Sequence, residues 1–168
     1  MTDANQYINS NFAFPSVNRL LITSLDVSNR NLINKINLGP SENFTNLVQL
    51  NTSSNQINGF ALGQLPNLKV MDFSHNILTN FIMKNNLLLP RLENINLSHN
   101  YLTNVGPGSI ILTHLDVSNN LLTSLNLNDC KNLITLNCSG NSKLSNLTLN
   151  PAFDPSDSNA FDCRGTGL

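Results

Sequence analysis

The stretch LTHLDVSNNLL, Leu112–Leu122, decides the fold, because it recurs along the chain in varied spelling about six times. LVQLNTSSNQI begins at Leu47, LKVMDFSHNIL at Leu68, LENINLSHNYL at Leu92 and LITLNCSGNSKL at Leu133, with a looser copy, ITSLDVSNRNLI, at Ile22. The shared template is apolar–x–x–apolar–x–apolar–x–x–Asn–x–apolar. Alternating apolar letters describe a short half-buried strand, and the Asn that follows marks a turn. Copies recur every 20–25 residues or so, a period at which one supersecondary unit cannot bury its apolar face alone and must stack on its neighbours.

After each Asn comes a second apolar triplet: Ile33, Ile36 and Leu38; Ile57, Phe60 and Leu62; Leu78, Phe81 and Met83; Leu122, Leu125 and Leu127; Leu144, Leu147 and Leu149. Its alternation is strand-like too, so the opposite side of each unit is expected to be extended or made of short turns. Connectors such as NLNDCKNL are too short for a helix of usual length. Two irregularities stand out. KNNLLLPR, between Met83 and Leu92, has room for an extra helical turn, and VGPGSII at Val105–Ile111 breaks the second triplet.

The ends differ from the middle. Within Thr2–Phe14, Ala4, Tyr7, Ile8 and Phe12 fall at helical intervals, Thr2 or Asp3 can cap the start, and Pro15 follows. A short helix there is expected to cover the first repeat, as repeat arrays require. Three segments result: 1–21 as an N-terminal cap, 22–149 as six repeats, and 150–168 as a tail or unfinished cap, because PAFDPSDSNAFDCRGTGL loses the template.

Composition removes several functions. Charged residues make up 11% of 168 and the net charge is −1, with nine basic residues scattered between Arg19 and Arg164, so no phosphate-binding footprint exists and nucleic acid is not an expected partner. No run approaches the ~20 apolar residues of a membrane span. The opening MTDANQYINSNF lacks the basic start and apolar run of an export signal. A cytoplasmic location is the resulting expectation, or an extracellular one if a leader has been removed. Asn makes up about a fifth of the chain against a usual few per cent. Its N-x-S/T triplets at Asn43, Asn51, Asn96, Asn137 and Asn146 arise mostly from strand spelling. Cys130 and Cys138 stand in for core aliphatics, and Cys163 reads as an exposed thiol of the tail.

The repeats resemble short leucine-rich repeats of the internalin-like type over Ile22–Leu149. The resemblance implies a horseshoe solenoid of α/β type, with one parallel strand per repeat forming a concave sheet that commonly binds proteins. It also implies that Asn55, Asn76, Asn100, Asn120 and Asn141 form an inward ladder satisfying backbone groups. In the first repeat Arg30 holds the place of that Asn, and Asn31 fits only with an insertion.

Outward strand positions then form columns about 4.8 Å apart per repeat. One reads Asp26, Asn51, Asp72, Asn96, Asp116, Asn137; the next reads Ser28, Ser53, Ser74, Ser98, Ser118, Ser139. His75 and His99 share one template position in neighbouring repeats, and His114 lies elsewhere in the next. Stacked imidazoles near Asp72 raise the question of Zn²⁺, but a third and fourth ligand are not evident, so no metal or cofactor is assigned. Asp72, Ser74 and His75 lack the Gly-rich elbow and oxyanion donors of a catalytic triad, so enzymatic activity is not expected. The leading reading is a protein-interaction module, with partner contacts at Asp26, Asn51, Asp72, Ser74, His75, Asn96, Ser98, His99, His114, Asp116 and Asn137. The alternatives are a structural scaffold segment of a larger repeat protein and, behind it, a metal-assisted enzyme at His75 and His99.

Overall fold

The chain forms a parallel β-solenoid with one short α-helix. The computed structural model describes residues 1–12, 18–39, 42–83, 89–108, 111–154, 156 and 160–168. In chain order the strands are β1 (Thr2–Asp3), β2 (Ser24–Asp26), β3 (Leu32–Leu38), β4 (Gln49–Asn51), β5 (Gln56–Leu62), β6 (Val70–Asp72) and β7 (Asn80–Ile82). They continue as β8 (Asn94–Asn96), β9 (Asn104–Gly106), β10 (His114–Asp116), β11 (Ser124–Leu127), β12 (Thr135–Asn137), β13 (Asn146–Leu149) and β14 (Phe161–Asp162). Among the described residues no helix is long and apolar enough to cross a membrane.

The even-numbered strands make one seven-stranded sheet in the order β14-β12-β10-β8-β6-β4-β2. All of its pairs are parallel and in step, so Leu25, Leu50, Met71, Ile95, Leu115, Leu136 and Phe161 form a single row. Apart from Phe161, which is half-buried, this row points inward and is at most 3% exposed. On the opposite side lie β1-β3-β5, β7-β9 and β11-β13, the expected extended back of the solenoid. Between the two sides runs one continuous core, with Phe60 tilted against Phe73 and Phe81 at 5.6 and 5.0 Å.

Five buried asparagines hold successive turns together. Asn76 shows the pattern: its amide donates to the carbonyls of Thr52, Phe73 and Ser74, and its oxygen accepts from the Ile57 N–H at 2.9 Å. Asn55, Asn100, Asn120 and Asn141 make the same reach into the preceding turn. These turns would otherwise bury unpaired peptide groups, each costing ~1–3 kcal/mol. In the last turn Thr166 takes the corresponding place, its hydroxyl donating to Cys163 O at 2.7 Å.

The N-terminal helix α1 (Ala4–Asn11) starts at Asp3, whose carboxylate accepts the N–H groups of Asn5 and Gln6 and the Asn34 amide. Together these bonds, led by Asn34, hold the Asp3 carboxyl below its usual range. Ala4 and Ile8 are buried, and the helix packs along β3. Arg19 then ties the helix to the body, bonding Phe12 O at 2.6 Å, pairing with Glu42 and lying over the Phe44 ring.

Several local expectations change. In the first repeat Leu32, fully buried, fills the apolar slot assigned to Ile33, which is only half-buried. Asn55 Oδ1 fixes this by accepting from both Arg30 and Leu32 N–H groups. Beyond Leu32, Asn34 takes φ 70°, and between Asn34 and Lys35 the β3–β5 register shifts by one, passing over Asn58 of β5. At the irregularity expected over Val105–Ile111, β9 still pairs with β7 in step and Pro107 is buried, but the back sheet does not continue from β9 to β11, and residues 109–110 lie outside those described. The extra turn expected between Met83 and Leu92 falls largely on residues 84–88, outside those described. Finally, Phe161–Asp162 adds a seventh rung to the sheet in a stretch whose sequence reads as tail. Phe153 anchors it, meeting Phe161 edge-on at 6.0 Å.

Candidate functional site: the outer face of the seven-stranded sheet

Each three-residue strand buries its middle residue and turns its first and third outward. The third positions form a column of strict alternation: Asp26, Asn51, Asp72, Asn96, Asp116, Asn137 and Asp162. The seventh member, Asp162, is not recognised from sequence because the spelling before it departs from the template.

Every Asx in the column closes its own strand, accepting on Oδ1 the N–H two residues on, from Ser28, Ser53, Ser74, Ser98, Ser118, Ser139 and Arg164 at 2.8–3.2 Å. The second oxygen of Asp takes a donor from the next rung. Asn96 Nδ2 reaches Asp72 Oδ2 at 3.4 Å, and Asn137 Nδ2 reaches Asp116 Oδ2 at 3.0 Å. On the last rung Arg164, in the Ser position, folds back on Asp162 and donates to Oδ2 at 2.7 Å and from Nε to Oδ1 at 3.0 Å. These bonds hold the Asp162 carboxyl down at about 2, and the Ser28 N–H holds Asp26 below the usual carboxylate range.

The first positions form a second column: Ser24, Gln49, Val70, Asn94, His114 and Thr135. Only His114 of this set is flagged by the sequence reading; strand alternation alone places the others beside it. His114 is exposed, with Nδ1 2.8 Å from Thr113 Oγ1. The two columns line a groove of about 610 Å³ whose walls include Val70, Asp72, Asn94, Asn96, His114 and Asp116, and at the last strands Thr135, Asn137 and Asp162.

Of the sequence-predicted residues, Asp72, Asn96, His114, Asp116 and Asn137 are thus brought together, while Asp26 and Asn51 continue the column beyond the groove toward the N-terminal end. Ser74 and Ser98 are 5% and 7% exposed and offer little surface. The Ser98 hydroxyl donates to Asn96 Oδ1 at 2.8 Å, a contact internal to the turn.

His75 and His99 are exposed but do not line the groove. They occupy a turn position with φ 52° and 55°, as do Asn29, Ser54 and Asn119 at 52°, 56° and 53°, and Gly140 and Gly165 at 70° and 69°. That left-handed region favours Gly and Asn and tolerates His better than most side chains. Backbone geometry therefore accounts for the residue type. Their rings stack at 4.2 Å with 9° between planes, and Asn119 Nδ2 lies 3.3 Å from His99 Nε2. Co-facial rings direct their in-plane lone pairs side by side instead of toward a common point, so a shared metal would require one ring to rotate. Among the described residues no group of three or more His, Cys, Asp or Glu side chains is gathered as a metal site would need. Beside this row Ile77, Tyr101 and Leu121 form an exposed apolar rim, 38%, 55% and 49% accessible.

Compared with known proteins, the chain matches no family model, and no curated protein matches it.

Proposed function

We propose that the chain is a leucine-rich-repeat solenoid of the short internalin-like type, and that it acts as a protein-interaction module through the outer face of its seven-stranded sheet. In this reading the sheet is the concave face of a horseshoe, and the protein performs no chemistry on its partner. The observation that carries it is the groove, where two uninterrupted columns of side chains stand on a rigid parallel sheet and present carboxylates, amides, a hydroxyl and one imidazole within one surface. A preformed sheet loses little conformational entropy on binding, which is the advantage a repeat scaffold gives an interaction surface. The face lacks Trp and carries no Arg along the groove, so the partner supplies the large anchoring side chains.

The test replaces residues that line the groove without belonging to the Asx column. Val70→Arg with Thr135→Arg fills the groove while leaving the Asp/Asn bonds intact. Proteins captured from the native cell by the wild-type chain, identified by mass spectrometry, are expected to be lost with the double variant at unchanged circular dichroism. An unchanged set of captured proteins would refute the reading.

A further inference from the structure

Cys138 and Cys163 occupy the same template position in the last two turns. The ladder between β12 and β14 continues past the strand ends: Leu136 N–H donates to Ala160 O at 2.7 Å, Cys138 N–H to Asp162 O at 2.9 Å and Gly140 N–H to Arg164 O at 2.9 Å. In a parallel ladder this spacing sets Cys138 directly opposite Cys163. Both lie next to an outward Asx and so turn inward, in the row that Val27, Thr52, Phe73, Leu97 and Val117 fill in the earlier turns. Cys138 is fully buried and Cys163 half-buried, and neither is in a disulfide.

We infer that Cys138 and Cys163 are an oxidative modification site, which a small-molecule disulfide converts into a cross-link stapling the last strand to the solenoid. Adjacent parallel strands stand about 4.8 Å apart, inside the Cα separations of 4.4–6.8 Å that a disulfide accepts. The Cβ atoms must close to about 4 Å, a shift of less than an ångström. The last strand can make it, because β14 is two residues long and ends the sheet's order.

The order of events follows from burial. Burial pushes the Cys138 thiol up to about 12, so it forms little thiolate, and the more accessible Cys163 reacts first. The Cys163 thiolate attacks one sulfur of the small disulfide and expels the other as a thiolate. Cys138 then attacks the Cys163 sulfur and displaces the second small thiolate, which takes up the Cys138 proton as it leaves. Two cysteine thiols are oxidised by two electrons, and one small disulfide becomes two thiols.

In the experiment the full chain is incubated with oxidised glutathione, denatured, labelled with a maleimide and mapped by mass spectrometry. The expected result is a chain lighter by two hydrogens, a Cys138–Cys163 linked peptide and label on Cys130 alone. Cys130→Ser keeps the link, and Cys163→Ser abolishes it. Amide exchange over residues 161–166 is expected to slow at least tenfold in the oxidised form, the direction a loop-closing link imposes. A lasting glutathione adduct on Cys163 with Cys138 still labelled would overturn the inference. So would a link through Cys130, or exchange over 161–166 that oxidation leaves unchanged.

Discussion

Asn100→Ala removes one amide and is expected to cost about 4 kcal/mol. The Asn100 oxygen is the acceptor for the buried Leu78 N–H at 2.9 Å. Its Nδ2 donates to Phe73 O at 2.9 Å, Leu97 O at 3.1 Å and Ser98 O at 3.2 Å. Truncation orphans the Leu78 N–H, at roughly 1–3 kcal/mol, and strips the shared donor from three carbonyls, at about 1 kcal/mol net for each of its two hydrogens. Two of the four partners, Phe73 and Leu78, belong to the preceding turn, so the damage must straddle both turns. Urea unfolding followed by circular dichroism reads the total, and for a chain of this size a loss of about 4 kcal/mol lowers the melting midpoint by roughly 8–16 °C. Amide exchange reads the location: protection should fall at Leu78 as well as near Asn100. Asn80→Ala is the control, since Asn80 is exposed and, among the described residues, its side chain reaches only Thr79 Oγ1, at 3.5 Å. That control should stay within about 0.5 kcal/mol of wild type. A loss of under 1 kcal/mol for Asn100→Ala, or unchanged exchange at Leu78, would refute the claim that the buried amides hold the turns together.

Three more outcomes follow from the same geometry. His99→Val places a β-branched residue at φ 55° and should lose roughly 1–2 kcal/mol in urea unfolding, whereas His99→Asn should be nearly neutral; equal losses would sink the backbone explanation of the histidines. The Asp162 carboxyl, held at about 2 by Arg164, favours the docked last strand above the ordinary carboxylate pKa of ~4, and this contribution is lost as pH falls from there through about 2. Carbon-detected NMR titration should show the depressed midpoint in wild type and a higher one in Arg164→Ala, which keeps only the residue-164 N–H bond to Oδ1; an unchanged midpoint would refute the role of the guanidinium. Leu115→Asp puts a carboxylate in the inward row, and hydrogen exchange should report loss in the turns on both sides; loss confined to one turn would mean that the units fold independently.

How much of this was legible in the sequence depends on whether a residue is fixed by side-chain burial or by backbone and register. Leu112, Leu115, Val117, Asn120 and Leu122 are spaced as the strand and turn require, and all five are buried where the template puts them. The inward Asn ladder was expected from the resemblance to leucine-rich repeats, and Asn55, Asn76, Asn100, Asn120 and Asn141 are all buried. The Ser column was misleading, because polar spelling suggested surface while the Asx turn draws Ser74, Ser98 and Ser118 inward to 4–7% exposure. His75 and His99 raised the question of a metal because a sequence does not display φ. Pro107 was hidden by residue type, since a proline in an aliphatic slot looks like a break. The seventh rung was hidden by the Pro151–Asn159 stretch, which lacks the leucine that elsewhere announces a strand; Phe153 and Phe161 do that work by packing on each other. The groove's first column was missed for a simpler reason. Its letters follow no consensus, and only the two-residue period of the strand places them beside the Asx column.

That lack of consensus separates the two columns of the candidate face. Each Asx of the third column has its Oδ1 committed to its own turn, and the carboxylates of Asp72, Asp116 and Asp162 have their second oxygen committed to Asn96, Asn137 and Arg164. A run of Asp on every rung would bring acceptors together about 4.8 Å apart with no donor between them; alternation supplies the donor. The alternation therefore meets the donor need of the stacked sheet, and its polarity is largely spent within the protein. The first column carries no such constraint. Ser24, Gln49, Val70, Asn94, His114 and Thr135 differ from rung to rung in size and polarity, although the backbone treats their positions alike. A surface discriminates between partners through positions free to differ. On this sheet the Asx column sets the shape and the negative charge of the groove, and under the proposed interaction function the column running through Val70, Asn94, His114 and Thr135 is the one that selects the partner.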